Sequence, residues 1–505
     1  MNLHGQNRLG DALSARGDEL LHAVDPETGG ALAPSFHVAT RPEIDRAFEL
    51  AAEAARPLRR LAPGDRAALL EHIATELEAL GAPLFERAAR ETGLPVARLE
   101  SERGRTASQL RLFADALRAG LGAETAHLAP DPGRQPAPRP ELRLSRVALG
   151  PVVVFGASNF PLAFSAAGGD TAAALAAGCP VVHKAHPAHP GTCELVGEAI
   201  ARAVAACGAP AGSFSLLHGG AEVGRALAAH PGARAVAFTG SLGAGRALLD
   251  VAAARPDPIP VFAEMGSQNP VFALPAALAA RADEIAAGLY QSLTLGVGQF
   301  CTNPGLVLCA RGAESERLLG DLRTRVSAAE AGTMLSPGIA ASYRTAVRAL
   351  AALPAVEVHG DPEPAGPEDD APRAAARPAL AVTDAGAWLA EPQLSEEVFG
   401  PATLVVLAEA PDQLPELAEH LAGQLTATVH ADAADRELAE RLLPALEEKA
   451  GRIVWNGFPT GVEVDAAMNH GGPWPATTDA RFTSVGTAAI ERFLRPLCVQ
   501  GRPPA

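Results

Sequence analysis

The sequence predicts an α/β protein built on a parallel sheet, and three observations carry that prediction. Between Gly150 and Glu264, short continuous apolar runs alternate with segments of helical length. A hydrophobic content of 48% with 20% charge describes an ordinary globular chain rather than a disordered one. The 505 residues suffice for roughly three domains of ~150 residues.

The elements follow in order. The first ~120 residues read as helices. Arg66 to Gly81 sets Leu69, Leu70, Ile73, Leu77 and Leu80 on one stripe, with Gly81 suited to a C-cap. A second helix spans about Val96 to Gly120 and includes Arg105, Leu110, Phe113 and Leu117. His127 to Pro140 is Pro-rich and excludes a helix or a central strand. Glu141 to Val147 then alternates like a half-exposed strand. Buried strands are expected at Val152 to Phe155, Val181 to Val182, Phe214 to Leu217, Val236 to Phe238 and Pro260 to Phe262. Helices are expected between them at Pro161 to Ala177, Thr192 to Cys207, Val223 to His230 and Ala244 to Ala253. After Glu264 the alternation is less regular. A helix is expected at Arg281 to Leu293, a surface loop at Asp361 to Pro378, and strands at Thr403 to Leu407, Thr426 to Val429 and Phe493 to Gln500.

Composition narrows the function. With 42 basic and 58 acidic residues the formal net charge is −16, which argues against a nucleic-acid binder. No apolar run approaches the ~20 residues that span a bilayer, so no membrane partner is expected. The N-terminal stretch carries charges throughout and lacks an apolar core, so no signal peptide is expected. The six cysteines form no paired framework and no CxxC, which suggests a reducing cytoplasm and thiol chemistry. All but two of the 42 basic residues are Arg. The exceptions are Lys184, beside a Gly-containing strand–helix segment, and Lys449, on an acidic helix.

Four motifs carry candidate chemistry. Gly298-Gln-Phe-Cys301 sets a Cys in a turn after a helix, open to a ligand; a buried structural Cys reads equally from these residues. Glu264 closes an apolar strand and precedes Met-Gly, at the end of a parallel sheet where ligands bind; an exposed loop Glu is the alternative. Phe155-Gly-Ala-Ser-Asn159-Phe-Pro161 turns from strand to helix, where Asn159 either meets a ligand or caps the helix. Phe238-Thr-Gly240-Ser241-Leu-Gly-Ala-Gly245 has the layout of a phosphate turn at a helix N-terminus, but is neither GxGxxG nor a Walker motif.

In this order, together with Lys184 and Glu396-Glu-Val-Phe-Gly-Pro401, the motifs resemble the aldehyde dehydrogenase superfamily over about residues 35 to 500. Glu264-Met-Gly-Ser-Gln-Asn-Pro and the stretch from His470 to Gly486 resemble a narrower branch, the 2,5-dioxovalerate (α-ketoglutaric semialdehyde) dehydrogenases and NADP-linked fatty aldehyde dehydrogenases. Gln268 replaces a common Lys, and the usual C-terminal Gly-Gly-Phe-Lys is missing. Both departures fit that branch.

The resemblance implies a Rossmann-like cofactor domain (1–126 and 146–263), an α/β catalytic domain (264–456) and a bridging, oligomerising strand region (127–145 and 486–505). It implies Cys301 as nucleophile, Asn159 and the Cys301 N–H as oxyanion donors, and Glu264 as the base for thioester hydrolysis. No metal is expected. For the cofactor it implies Glu397 at the nicotinamide ribose, Phe399 near the ring, and Ser158, Gly240, Ser241 and Gly245 around the phosphates. Lys184 falls at the adenosine ribose. Pro187 stands where NAD-preferring members carry a Glu, so NADP is expected, with NAD possible. His186 and Arg225 are candidate helpers, although His186 and His189 also read as solvated loop residues.

For the substrate, Arg105 is the candidate anchor of a far carboxylate and Arg481 the second choice. The alternative is that either Arg pairs with a neighbouring carboxylate, such as Glu102 for Arg105. Phe160, Phe458 and Val462 are candidate tunnel walls, with core packing as the competing reading. The implied activity is oxidation of 2,5-dioxovalerate to 2-oxoglutarate by a homodimer or dimer of dimers. A broad or fatty aldehyde dehydrogenase, and a non-redox thiol esterase, are the alternatives.

Overall fold

The computed structural model describes residues 3–121, 125–360 and 374–501, and two seven-stranded sheets organise it. In the first sheet the strands run in the order Val261–Glu264, Ala235–Thr239, Val152–Phe155, Val181–Lys184, Phe214–Leu217, Asn7–Leu9 and Ala12–Ser14. The first five are parallel and the last two join antiparallel. Val152, Val153, Val181 and Val182 are buried on both faces, as a sheet covered by helices on each side requires.

The chain starts this parallel set at its middle strand, Val152–Phe155. It builds outward to Phe214–Leu217, then crosses back to Ala235–Thr239 on the other side. That reversal opens a crevice at the C-terminal ends of the strands. Phe155, Lys184, Thr239 and Glu264 are the last residues of their strands, with Phe155 opposite Lys184 and Thr239 opposite Glu264. Every candidate motif before residue 265 therefore emerges at one edge.

The second sheet runs Glu357–His359, Ala379–Asp384, Ala402–Ala408, Leu306–Ala310, Val271–Ala273, Gln424–His430 and Ala450–Trp455. It is parallel except at Glu357–His359. A third, antiparallel sheet joins Leu494–Gln500, Leu142–Ala148 and Ala126–Leu128, with Leu494 opposite Ala148 and Gln500 opposite Leu142.

Four expectations change. The N-terminal region is not all helix: Asn7–Leu9 and Ala12–Ser14 join the first sheet, and Leu20–Val24 pairs with Ala31–His37. The helix expected from Pro161 begins only at Gly169. The chain folds back first, with the Ala157 N–H donating to Phe164 O at 2.8 Å. Gly168 is extended, with ψ −175°, and a Cβ there would lie 2.4 Å from Ala163 O, so only Gly fits the fold-back that precedes the helix. The helical stretch before Cys301 runs Pro275–Thr294 and is broken at Arg281, where φ is −140°. Residues 361–373 of the acidic Pro-rich stretch lie outside the described residues, and Ala375–Ala376 pairs with Gly332–Thr333 instead of looping.

Candidate active site

Cys301 follows the 3-10 turn Leu295–Gly298, in which Gly296, Val297 and Gly298 have φ of 56°, 57° and 66°. A Cβ on Gly298 would lie 2.4 Å from the backbone of Gly400 and Pro401. The nucleophile's turn is thereby wedged against the Glu396 to Pro401 motif, and only Gly fits the contact. Asn269, itself at φ 49°, brings its side-chain amide to 2.8 Å from Cys301 O, 2.9 Å from Asn303 O and 3.0 Å from Ser267 O. Cys301 is therefore fixed to the segment that begins with Glu264.

Glu264 is buried, so the exposed-loop reading fails. Its Oε2 accepts from Ser484 Oγ at 2.5 Å, and its Oε1 lies 3.0 Å from His470 Nε2. The same His470 nitrogen is 3.4 Å from Cys301 Sγ. Burial works to raise the Glu264 carboxyl pKa, but the His470 imidazole and the Ser484 hydroxyl outweigh it, and the result lies below the ordinary value. Burial, and then the Glu264 carboxylate, push the Cys301 thiol well above its usual range. His470 and Ser484 both come from the unusual C-terminal stretch. Sequence reasoning noted that stretch as a departure and drew only Arg481 from it, assigning neither His470 nor Ser484 to the site.

Asn159 is buried and caps no helix. Its amide Nδ2 donates to Gln299 O at 3.0 Å. Its own carbonyl accepts from Arg98 Nη2 at 3.1 Å. Buried Glu102 shapes the turn after it, accepting from the N–H groups of Leu162 and Ala163 at 2.8 and 2.9 Å. A neutral amide and a thiol thus meet at the floor of the crevice.

A cavity of about 760 Å³ opens from there along the first sheet. Cys301, Asn159, Ser158, Lys184, His186, Gly240, Ser241, Glu397, Phe399 and Arg225 all line it. Ser241 caps the helix Leu242–Ala253, its Oγ accepting from Ala244 N. Gly245 lies behind the wall; a Cβ there would meet Met265 Sδ at 2.5 Å. Glu397 approaches Gly266 so closely that a Cβ would come within 2.1 Å of its Oε2. Gln268 donates to Leu394 O and Glu396 O and steadies that approach. Lys184 is 7% exposed, and burial pushes its ammonium down to about 8. No carboxylate lies within ion-pair distance of it among the described residues. His186 is half-buried. His189 is fully buried rather than solvated, with Nε2 2.8 Å from Ala157 O. Arg225 reaches the cavity but pairs with Glu222 at 2.8 Å.

The aldehyde dehydrogenase family model matches residues 13–495. The chain belongs to the aldehyde dehydrogenase family. It is an oxidoreductase acting on aldehydes. Alpha-ketoglutaric semialdehyde dehydrogenase 2 of Azospirillum brasilense is 54% identical over 505 residues, covering 100% of this chain and 95% of that protein. Alpha-ketoglutaric semialdehyde dehydrogenase of Acinetobacter baylyi is 46% identical over 485 residues, covering 95% and 90%. Among solved structures, 3,6-anhydro-L-galactose dehydrogenase in complex with NAP superposes with a TM-score of 0.82 at 21% identity, covering 98% of this chain and 99% of that one. Lactaldehyde dehydrogenase of Escherichia coli gives 0.83 at 20%, covering 98% of each. The fold is shared across these proteins.

On the other side of Cys301, this aldehyde dehydrogenase presents aromatic and cationic groups. Phe160 packs edge-on against Phe164 and Phe300, with centroids 5.3 and 5.5 Å apart. Val462 joins the cluster of Phe164 and Phe160. The Arg105 guanidinium stands 5.7 Å from the Phe160 ring and 5.4 Å from the Phe164 ring. Its Nε is buried without a partner. Glu102 pairs with Arg98 instead, at 3.9 Å, and Arg105 has no carboxylate within 4.0 Å among the described residues. Two candidates fare differently. Phe458 packs into the core beneath the second sheet, facing Gly288 and His430. Arg481 is 80% exposed and bound to Asp479 at 2.5 Å, so it does not reach the cleft.

Proposed function

We propose that the enzyme oxidises α-ketoglutaric semialdehyde (2,5-dioxovalerate) to 2-oxoglutarate, with NADP preferred over NAD. The observation that carries the substrate reading is Arg105, a cation without a carboxylate partner beside the aromatic wall next to Cys301. A semialdehyde with a carboxylate at its far end supplies the missing anion. The names of the two curated relatives agree with this chemistry.

The reaction follows from the residues. The Cys301 thiol gives up its proton as its sulfur attacks the aldehyde carbon; His470 Nε2, 3.4 Å away, is the nearest acceptor, and Glu264 Oε1, 3.0 Å from that same nitrogen, stabilises the imidazolium that forms. The oxygen of the thiohemiacetal takes hydrogen bonds from the Asn159 amide and the Cys301 N–H, charge-stabilising donors that water would have to reorganise to supply. The nicotinamide cofactor, when bound, supplies the hydride acceptor. Cys301 then holds a thioester. Glu264 draws a proton from water, the water oxygen adds to the acyl carbon, and the C–S bond breaks to release the carboxylate and the thiol.

The cofactor reading rests on Lys184, Pro187 and the long cavity. A buried ammonium without a carboxylate neighbour suits the 2′-phosphate of NADP. Residues 1–126 and 146–263 serve the cofactor and 264–456 the chemistry, while 127–145 and 486–505 bridge subunits of a dimer or dimer of dimers. No described helix is long and apolar enough to cross a membrane, and all six cysteines are free, which supports the cytoplasmic reading.

The test is a panel of acidic and long-chain neutral aldehydes, with NADPH and NADH absorbance as readouts. Highest kcat/KM for the acidic semialdehyde with NADP supports the reading. A preference for neutral chains, or for NAD, overturns the corresponding half. Ester or thioester turnover without any aldehyde-dependent absorbance would indicate a thiol hydrolase.

A further inference from the structure

Glu264, Cys301 and His470 each aim one ligand atom at a common point, all within 4.8 Å of one another. Two of them are almost wholly buried: Glu264 is 4% and His470 1% exposed. The contacts inside this trio are close but incompletely satisfied. His470 Nε2 is 3.0 Å from Glu264 Oε1, yet that oxygen lacks a well-directed hydrogen bond and is buried. The other carboxylate oxygen is committed to Ser484 Oγ. One carboxylate lone pair, one imidazole nitrogen and one thiol sulfur thus converge on a shared space next to the cavity.

That donor set is one that zinc favours. Tetrahedral zinc with sulfur at ~2.3 Å and nitrogen and oxygen at ~2.0–2.2 Å holds its donors about 3.4–3.6 Å apart. The observed nitrogen–sulfur separation is 3.4 Å and the nitrogen–oxygen separation 3.0 Å, with all three donors within 4.8 Å of one another, so side-chain adjustment brings the sulfur and the carboxylate together on one ion. Of the three donors, Cys301 lines the cavity, from which water can supply the fourth. Ser484 on Glu264 supplies an orienting partner of the kind such sites use. The charges also balance, since a thiolate and a carboxylate neutralise the dication.

We propose that these three residues form an inhibitory site for a soft divalent cation, Zn²⁺. The cation displaces the Cys301 proton to solvent, forms a Zn–S bond, and ties up the sulfur that must attack the aldehyde. The site deepens the reading above: that reading makes zinc binding inhibitory, whereas the binding itself depends only on the three donors. Chain spacing gives no hint of it, because the donors come from a strand end, a turn and the C-terminal stretch.

Full-length enzyme freed of metal is titrated with Zn²⁺ and, as a spectroscopic probe, with Co²⁺. Binding of one ion per chain is expected, together with a thiolate-to-cobalt charge-transfer band, tetrahedral visible bands, and inhibition that EDTA reverses. Cys301→Ser should abolish the charge-transfer band. His470→Ala and Glu264→Gln should each weaken binding at least tenfold. Cys498→Ser and Cys207→Ser, at the more exposed thiols, should leave the spectrum unchanged. Zinc binding unaltered in both His470→Ala and Glu264→Gln, or a band that follows Cys498 or Cys207, would overturn the proposal, as would no binding at millimolar metal. The spectrum does not depend on turnover, so a failed zinc site and a failed aldehyde oxidation are separately visible.

Discussion

The Asn159 amide donates to the carbonyl of Gln299 at 3.0 Å, joining the turn after the strand Val152–Phe155 to the turn that carries Cys301. The donor needed for the oxyanion is thus held by the backbone of the nucleophile's own loop. Asn159→Ala removes both the tether and the donor. Its kcat should fall by ~10²–10³, the usual cost of one such donor. Cofactor affinity, measured by fluorescence titration, should change little.

His470→Ala should slow Cys301 as a nucleophile, because the nearest proton acceptor at 3.4 Å is lost. General acid–base assistance is worth ~10²–10⁴ in rate. The rate of Cys301 alkylation by iodoacetamide, in the absence of aldehyde, checks the cause directly. Unchanged alkylation with reduced turnover would assign His470 to the later, hydrolytic half.

Arg105→Ala should raise KM for an acidic semialdehyde by about 10–100-fold, the range expected for losing a hydrogen bond to a charged group at ~1.5–3 kcal/mol. Neutral aldehydes should be nearly unaffected. Arg481→Ala should change neither, since Asp479 already occupies that guanidinium.

Cofactor choice should depend on pH through Lys184. Burial holds its ammonium down to about 8. Below that value the side chain is cationic and pairs with a 2′-phosphate; as pH rises through it, the charge is lost. The ratio of kcat/KM for NADP to that for NAD should therefore decline between pH 7 and pH 9. Lys184→Met should give a low ratio that is flat across the same range.

Gly266→Ala should disturb the cofactor without unfolding the protein. The added methyl would crowd Glu397 Oε2, the far end of a flexible side chain, which can swing away. Cofactor KM should rise about tenfold, with Tm shifted little.

Much of this was legible in the chain because the relevant signals are local. Val152 to Phe155 and Phe214 to Leu217 announce buried strands by unbroken apolar runs, and the observed elements keep those bounds. Asn7–Leu9 escaped notice because a three-residue strand containing Asn7 and Arg8 has no apolar pattern to read. Pro161 resembled a helix start, but the chain folds back first, the Ala157 N–H donating to Phe164 O and the Gly169 N–H to Ala163 O. The Glu264–His470–Cys301 contacts were invisible for the same reason: each arises from tertiary closure, which spacing along the chain does not encode. Arg481 misled through residue type, a guanidinium whose partner lay elsewhere.

Asn269 gives the chemistry and the specificity separate mountings. Its single amide fastens the carbonyls of Ser267, Cys301 and Asn303 together, so the base's segment and the nucleophile's loop move as one piece. The walls come from other segments, the helix bearing Arg105 and the stretch around Val462. A catalyst assembled this way can be retargeted by remodelling its walls, much as a tool keeps its drive when the bit is exchanged.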